Sequence, residues 1–225
     1  MYKNKKILAF IPARAGSKRI IGKNKKELNG KPLFTYSVDI AKQSKYIDDI
    51  LVSTDSEEIL ELAHQLGCRK NGLRPKELSG DHARIVDAIL YEVKENKLED
   101  FDAVVLLQPT FPIRTVEMLE GAIEEYMKEE SSLITVVKAE EQPLFMRTIQ
   151  DGKLEKILKV TSDVRSQDFP MVYKIIGCIY INNLHTLTTN SVLNENEVPY
   201  IIDKKYDIDI DTIEDFYRAE REIKK

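Results

Sequence analysis

Several residue types and patterns that define common classes of protein are scarce in this 225-residue sequence. Its two cysteines, Cys68 and Cys178, have neither a CxxC spacing nor a nearby histidine, so neither a disulfide framework nor a zinc site is indicated. The three histidines accompany no Ser or Cys nucleophile pattern, which leaves a Ser-His-Asp hydrolase without support. The sequence also has no internal repeat and no low-complexity segment.

Long apolar runs are missing as well. No run approaches the roughly 20 residues that a membrane helix needs, and the first apolar segment, residues 7–11, is too short for the core of a secretory signal. We therefore expect a cytoplasmic protein without a membrane partner. The composition, 42% hydrophobic and 32% charged with a net charge of -4, is typical of a folded protein, and the length predicts a single domain over residues 1–225. Any basic patch must be local, and no nucleic-acid partner is expected.

Short apolar runs alternate with helical patterns along the chain. Runs of this kind are typical of strands that are buried on both faces. Strands are predicted at residues 6–11, 50–54, 103–107, 133–137 and 174–181. The alternation predicts an α/β fold with a Rossmann-like, doubly wound and mostly parallel sheet, in which ligands bind at the carboxyl ends of the strands.

Local start signals define the predicted helices. Pro32 suits the first position of one helix, and Thr115 is a candidate N-cap for another that runs to about residue 128. Asp55 and Glu58 resemble a capping box. A closing helix is predicted over residues 211–223.

The alternation fails from about residue 139 to residue 170. Few apolar residues recur in step there, and Gln142-Pro143 and Asp151-Gly152 indicate turns. We interpret the region 139–182 as including a small irregular arm that serves in dimerisation.

A basic segment, residues 12–26, directly follows the first predicted strand and contains no acid. Gly16 and Ser17 can offer backbone N–H groups while the surrounding cations face a polyphosphate. These cations are Arg14, Lys18, Arg19, Lys23, Lys25 and Lys26. The segment matches neither GxxxxGK[ST] nor GxGxxG, which argues against a P-loop NTPase and a Rossmann dehydrogenase. Charge alone also allows a solvated loop or a nucleic-acid patch, but the position at a strand's carboxyl end favours a phosphate site.

An acidic segment near the end of the chain, residues 207–211, alternates three aspartates with two isoleucines. In an extended strand the carboxylates would share one face and the isoleucines the other. Such hard oxygen ligands suit Mg²⁺, whose coordination is completed by water and substrate phosphates. The residues alone leave a structural alternative open, because Asp211 and Glu214 could form a capping box for the last helix.

Short motifs occur in a fixed order along nearly the whole chain. They are IPARAGSK at 11–18, Lys23-Asn24, LNGKPL at 28–33, VSTD at 52–55, RPKEL at 74–78, LQPT at 107–110 with Arg114, and DIDT at 209–212. Together they resemble the signature of the acylneuraminate cytidylyltransferases, of which Kdo cytidylyltransferases share a weaker version.

The resemblance implies a fold of the nucleotidyltransferase type and transfer of CMP from CTP to the anomeric hydroxyl of a nine-carbon 2-keto sugar acid, with release of pyrophosphate. It also implies Mg²⁺ as cofactor and a homodimer. By resemblance Arg14, Lys23 and Asp211 are catalytic, while Asp209 and Asp211 hold the metal. The nucleotide would be bound by Ala13, Arg14, Gly16, Ser17, Lys23, Asn24, Arg74, Asp81 and Ala83, and the sugar by Gln108 and Tyr180.

Departures from the family pattern cluster at the predicted substrate sites. Arg84 and Ile85 replace the small hydroxyl residues that often follow the alanine of the nucleotide segment. Phe145, Ser166 and Ile176 stand where the sialic acid branch has a lysine, an arginine and an asparagine. We therefore keep two alternatives, a nucleotidyltransferase for Kdo or a sugar phosphate and a catalytically inactive nucleotide-binding module of the same fold.

Overall fold

Six strands form one central sheet in the computed structural model of the protein, which describes residues 2–158 and 170–224. The strands are β1 (Ile7–Pro12), β2 (Glu27–Leu28), β3 (Lys31–Pro32), β4 (Asp49–Ser53), β5 (Ala103–Leu106), β6 (Leu133–Lys138), β7 (Arg147–Gln150), β8 (Lys153–Lys156), β9 (Tyr173–Asn183) and β10 (Val198–Ile201). The helices are α1 (Thr35–Gln43), α2 (Glu57–Gln65), α3 (Ile85–Glu95), α4 (Val116–Glu129) and α5 (Ile213–Ile223).

Most neighbouring strands of the central sheet, which has the order β10-β6-β9-β5-β1-β4, run parallel. β1 pairs in parallel with β4 and β5, and β10 pairs in parallel with β6. β9 is the exception, because it lies antiparallel between β5 and β6. The predicted α/β, mostly parallel sheet is therefore confirmed, and the carboxyl ends of β1, β4 and β5 meet at one edge.

Apolar side chains of β1 alternate between two hydrophobic cores, one on each face of the sheet. Ile7, Ala9 and Ile11 pack into the core that α1, α2 and α4 cover, while Leu8 and Phe10 pack into the core that α3 covers. All five residues are fully buried. The period of two residues in a strand produces this division, and burial of both faces explains why the run is continuously apolar.

A third, smaller core joins two segments that are remote in sequence. Its buried members are Ile20, Leu28, Leu33, Ile208, Ile210, Phe216 and Ala219, and we refer to it as the tail core. Ile208 and Ile210 are only 3% and 0% exposed, so the burial of each contributes roughly 1.5 to 3 kcal/mol. The tail core therefore holds the acidic segment against the chain that follows β1.

The acidic segment keeps the predicted alternation, but it lies outside the strands of the described residues. Its isoleucines face the tail core, and its aspartates are more exposed. A short 3-10 helix, Lys204–Tyr206, immediately precedes the segment, and Ile210 N donates a hydrogen bond to Thr110 O at 2.8 Å. Side-chain burial, and not pairing with a strand of the sheet, fixes which way the aspartates point.

Asp211 does not cap the last helix. The N-cap of α5 is Thr212, whose hydroxyl accepts a hydrogen bond from Asp215 N, while the Asp215 carboxylate accepts one from Thr212 N at 2.8 Å. The capping alternative for Asp211 is therefore wrong, because the capping box begins one residue later. The Asp211 carboxylate remains available to other partners.

The N-cap of α2 also differs from the prediction. Ser56 is the cap, since its side chain accepts a hydrogen bond from Ile59 N at 3.4 Å. Asp55 lies one residue too early, and its carboxylate accepts a hydrogen bond from Ala15 N at 2.7 Å instead. The predicted cap of α4, Thr115, is confirmed.

The first helix starts later than predicted. Pro32 does not begin α1 but lies in β3, where it pairs with Glu27 of β2. Asn29 and Gly30 have φ values of 49° and 84° and form the turn of this two-stranded hairpin. Because the hairpin occupies the chain up to Pro32, the helix begins only at Thr35.

The predicted arm contains regular structure. β7 and β8 pair antiparallel around the turn Asp151-Gly152, and β9, at the end of the predicted region 139–182, belongs to the central sheet. Residues 159–169, which include Ser166, lie outside the described residues.

The strands of the two short hairpins, β2–β3 and β7–β8, were not predicted, nor were one helix, α3, and one strand of the central sheet, β10. α3 gave no start signal because Arg84, at its N-cap, makes no capping hydrogen bond with its side chain. β10 contains Pro199, which is typical of an edge strand and obscures a strand pattern. Of the helices in the two described ranges, none is long and apolar enough to cross a bilayer.

Candidate active site

A cleft of about 380 Å³ opens beside the carboxyl ends of β1 and β5. Three separate parts of the chain form it, the basic segment, residues 74–88 and the turn after β5. The predicted site residues that line it are Arg14, Ser17, Lys23, Asn24, Arg74, Asp81, Ala83 and Gln108. The other lining residues are Pro12, Leu78, Gly80, Arg84, Ile85, Ala88, Pro109 and Thr110.

Asp81 bridges two cations of the basic segment. Its carboxylate oxygens lie 3.2 Å from Arg14 Nη1 and 2.5 Å from Lys18 Nζ. These contacts, the Lys18 hydrogen bond foremost, lower the pKa of Asp81. Asn24 is buried and donates from Nδ2 to Arg14 O at 2.8 Å, which fixes the backbone that carries the cations. The cations thus surround a carboxylate, the charge pattern that an anion site requires.

Lys23 connects the basic segment to the acidic segment. Its Nζ donates to Ile210 O at 2.6 Å and lies 3.6 Å from Asp211 Oδ1. Asp211 Oδ2 is 2.6 Å from Arg19 Nη1. Burial lowers the pKa of Lys23, and the charge of Asp211 opposes this shift. Two regions that the sequence analysis singled out separately therefore meet at one edge of the sheet.

Two of the three aspartates of the acidic segment neighbour cleft residues. Asp209 forms a hydrogen bond with the Thr110 side chain, and Asp211 contacts Lys23. Asp207 does not take part, because it pairs with Lys174 at 2.9 Å. Desolvation of the carboxyl raises the pKa of Asp209, although the residue as a whole is exposed.

The carboxylate pair suits one type of metal ion. Within the two described ranges, no three His, Cys, Asp or Glu side chains converge as a cage. Mg²⁺ needs no such cage, since it is commonly held by one or two carboxylates together with water and substrate phosphates. Asp209 and Asp211, beside a cleft lined with cations, fit that donor set.

A second hollow of about 260 Å³ adjoins the cleft, and we call it the side hollow. Arg84, Ile85 and Gln108 line both cavities. Tyr180 of β9 lines the side hollow only, and its hydroxyl donates to Asn194 Oδ1 at 2.9 Å. The two predicted sugar residues therefore meet in the side hollow.

Several other positions from the sequence analysis line neither cavity. Ala13 is buried beneath the cleft, and its N donates to Ser53 O at 2.9 Å. Gly16 belongs to the basic segment but not to the cleft lining. Ile176 packs into the core beneath α4, and Phe145 lies half-exposed on the arm. Ile176 therefore contributes to packing and not to a cavity surface.

Gln108 is positioned by two residues that sequence reasoning did not assign. Arg114 is buried, and it donates to Gln108 O, to Cys178 O at 2.8 Å and to Ser37 Oγ at 2.9 Å. Burial lowers the pKa of Arg114. Gly177 leaves room for the amide, because a Cβ there would lie 2.6 Å from Gln108 Oε1.

A buried polar network supports the segment that carries Arg74. Arg74 Nε donates to Ser79 Oγ at 3.1 Å, and burial lowers the pKa of Arg74. Beneath it, Glu92 accepts hydrogen bonds from Ser53 Oγ at 2.6 Å and Asn71 Nδ2 at 3.4 Å. Burial raises the pKa of Glu92, and these hydrogen bonds oppose the shift. The only sequence signal for Glu92 was an acid on an apolar helical face.

The fold and the site together suit one class of chemistry. Arg14, Lys23 and Arg74 provide positive charge for a polyanion at the ends of parallel strands. Asp209 and Asp211 can hold a divalent ion beside it. On this α/β sheet, such a set has the chemistry that is needed by a nucleotidyltransferase, an enzyme that moves a nucleotidyl group from a nucleoside triphosphate to an acceptor.

Comparison with known proteins identifies the family within the nucleotidyltransferases to which the chain belongs. A family profile described as cytidylyltransferase matches residues 8–223, and the chain belongs to this cytidylyltransferase family. The resemblance in the motifs is thereby confirmed.

The chain is similar to curated relatives along almost its whole length. CMP-N,N'-diacetyllegionaminic acid synthase of Legionella pneumophila is 34% identical over 96% of this chain and 95% of its own. N-acylneuraminate cytidylyltransferase of Escherichia coli is 30% identical over 95% of this chain, which spans about half, 51%, of that relative. A solved structure of CMP:2-keto-3-deoxy-manno-octonic acid synthetase complexed with CTP aligns with 98% of this chain and 99% of its own. Its TM-score is 0.72 at 16% sequence identity, which shows a shared fold.

Asp55 provides a test of how the basic segment is held. We expect Asp55→Ala to weaken CTP binding about tenfold or more. The carboxylate accepts a hydrogen bond from Ala15 N, and a bond of this charged type stabilises the bonded backbone conformation of the basic segment by roughly 1.5 to 3 kcal/mol. Asp55→Asn is the control, since its amide oxygen can still accept the bond. Isothermal titration with CTP measures both, and equal affinities for wild type and Asp55→Ala would contradict the assignment.

Proposed function

We propose that this protein transfers CMP from CTP to the anomeric hydroxyl of a nonulosonic acid, an N-acylneuraminate or a related nine-carbon sugar acid, and releases pyrophosphate. The observation that carries the proposal is the meeting of the basic and acidic segments at the cleft, through Lys23 and Ile210, which are 187 residues apart in sequence. Family membership and the acceptors named for the relatives support the acceptor class. The product would be a CMP-activated sugar for surface glycan synthesis.

The basic segment would bind the triphosphate. Gly16 and Ser17 can offer backbone N–H groups, and Asn24 fixes the turn that carries them. Arg14 and Lys23 would neutralise the charge that develops as pyrophosphate leaves. Loss of one such preorganised cation raises the reaction barrier by about 3 kcal/mol.

The carboxylate pair would hold Mg²⁺. When bound, the ion would polarise the α-phosphate and orient the attacking hydroxyl. Asp211 would then exchange part of its contact with Arg19 and Lys23 for the metal, which frees both cations for phosphate oxygens. Asp209, held by Thr110, would serve as the second ligand or as the partner of a bound water.

The transfer itself needs no covalent enzyme intermediate. The anomeric hydroxyl can attack the α-phosphorus in line as the bond to the bridging oxygen of pyrophosphate breaks, so positioning and charge neutralisation carry most of the catalysis. Arg74, Asp81 and Ala83 line the part of the cleft expected to hold the nucleoside. Gln108 and Tyr180 would contact the acceptor in the side hollow.

A homodimer would cover the exposed arm. Most of the large apolar side chains that are exposed in the described residues lie between residues 145 and 175. Ile149 and Leu154 sit opposite each other on the β7–β8 hairpin, 72% and 73% exposed. Exposed apolar side chains that cluster in one region of the chain are typical of an interface. The cytoplasmic location stays a prediction.

Pyrophosphate release should require CTP, Mg²⁺ and a sugar acid together. We expect coupled-assay turnover with at least one of N-acetylneuraminate, N,N'-diacetyllegionaminate and pseudaminate, its loss with EDTA and its return with excess Mg²⁺. Thermal shift with CTP, UTP, GTP and dTTP tests the nucleotide, because a ligand at 100 times its Kd stabilises the native state by about 2.7 kcal/mol. Turnover with Kdo alone would indicate the alternative acceptor, and stabilisation by CTP without any product would indicate an inactive module.

Asp211 and its neighbour separate catalysis from helix capping. Asp211→Asn should abolish turnover without lowering the melting temperature, because Thr212 and not Asp211 caps α5. Thr212→Ala should show the reverse, a loss of about 1 kcal/mol in the free energy of unfolding with activity retained below the melting transition. Melting curves and pyrophosphate assays on both variants measure this, and an active Asp211→Asn enzyme would refute the metal assignment.

The arm predicts a change of mass in solution. Analytical ultracentrifugation should give twice the 25.9 kDa of one chain for the wild type, and Leu154→Glu should shift the protein toward the monomer because it places a charge on the apolar face. Tyr217→Glu, at an exposed position on α5, is the control and should remain dimeric. A monomeric wild type at micromolar concentration would rule out the proposed interface.

A further inference from the structure

Arg84 occupies the boundary between the two cavities. It is the residue before α3, and its side chain lines both the cleft and the side hollow. Ile85 and Gln108 are the other two residues common to both linings. A group bound at this boundary would contact the nucleotide on one side and the acceptor on the other.

The guanidinium of Arg84 is held in place without being neutralised. Nη1 donates to Thr189 O and Nη2 donates to Ser191 O, both on the loop that forms the far wall of the side hollow. These acceptors are uncharged carbonyl groups. None of the ion pairs among the described residues involves Arg84. The side chain therefore presents an oriented cation, with N–H groups left over for a further partner.

The side hollow contains one charged side chain. Arg84 is its single lining cation, and none of its lining residues is an acid. The remaining lining residues are Ile85, Val86, Gln108, Tyr180, Ser191, Val192, Leu193 and Asn194, all neutral. An acceptor with one negative charge would consequently find one partner of opposite charge there, and a charge-assisted pair with a planar guanidinium suits a carboxylate.

The chemistry of the acceptor places its carboxylate at the same boundary. In a 2-keto sugar acid the carboxylate is attached to the carbon that carries the attacking hydroxyl. When that hydroxyl faces the α-phosphate in the cleft and the rest of the sugar occupies the side hollow, as proposed above, the carboxylate lies near the junction of the two cavities. We propose that Arg84 binds the carboxylate of the acceptor and so selects sugar acids over neutral sugars, an inference that rests on the proposed function.

The experiment compares two acceptors on three proteins. The acceptors are the sugar acid of the panel that the wild type converts and its neutral C1 amide, and the proteins are the wild type, Arg84→Gln and Arg84→Lys. We expect Arg84→Gln to lower kcat/KM for the acid about tenfold to hundredfold, as for loss of a charged hydrogen bond, with KM for CTP changed by less than about twofold. For the amide, wild type and Arg84→Gln should be equally poor, and Arg84→Lys should recover part of the rate with the acid.

Each other outcome refutes the assignment in a recognisable way. If Arg84→Gln lowers the rates for acid and amide equally, Arg84 only braces the loop at residues 189–191. If KM for CTP rises instead, Arg84 belongs to the triphosphate site. A wild type that discriminates acid from amide no better than Arg84→Gln refutes this inference alone, whereas a wild type that releases no pyrophosphate with any sugar acid refutes the proposed function and the inference with it.

Discussion

The tail core is the contact on which the geometry of the site depends. Ile208 and Ile210 are buried against Leu28 and Leu33, and this burial places the acidic segment beside the basic segment. The stabilisation comes from the removal of apolar surface from water, and it does not require the charges on the opposite side of the chain. The isoleucines thus hold the aspartates in position together with the contacts that Lys23 makes with Ile210 O and Asp211.

Ion pairs with two aspartates reduce the repulsion among the cations of the basic segment. Six cations in one short segment repel each other, and burial of Lys23 adds a desolvation cost that lowers its pKa. Asp81 and Asp211 offset that repulsion, each by bridging two cations. A triphosphate with a divalent ion carries charge of the same sign as these carboxylates. Binding can therefore proceed by exchange of ion-pair partners and need not create a new charge arrangement.

Features with strong local signals could be predicted from the sequence, and features decided by tertiary contact could not. Five of the six strands of the central sheet follow from continuous apolar runs, and the basic segment follows from a run of cations. The caps of α2 and α5 were each displaced by one residue, because Asp55 and Asp211 are adequate caps that tertiary partners occupy, leaving Ser56 and Thr212 to cap. The side hollow joins the start of α3 to the loop after β9, a contact that no local pattern encodes.

β9 reaches from the arm to the side hollow, and this limits which substitutions the protein can accept during evolution. Its first residues, Tyr173 and Ile175, are exposed on the arm, and further along the same strand Tyr180 lines the side hollow between β5 and β6. The arm-side residues of β9 pair with β6 alone and its later residues pair with β5 and β6, so one strand of 11 residues extends from the arm to the side hollow. In the homodimer and acceptor site proposed above, both surfaces would draw on this strand, so substitutions that suit one of them would also be constrained by the other.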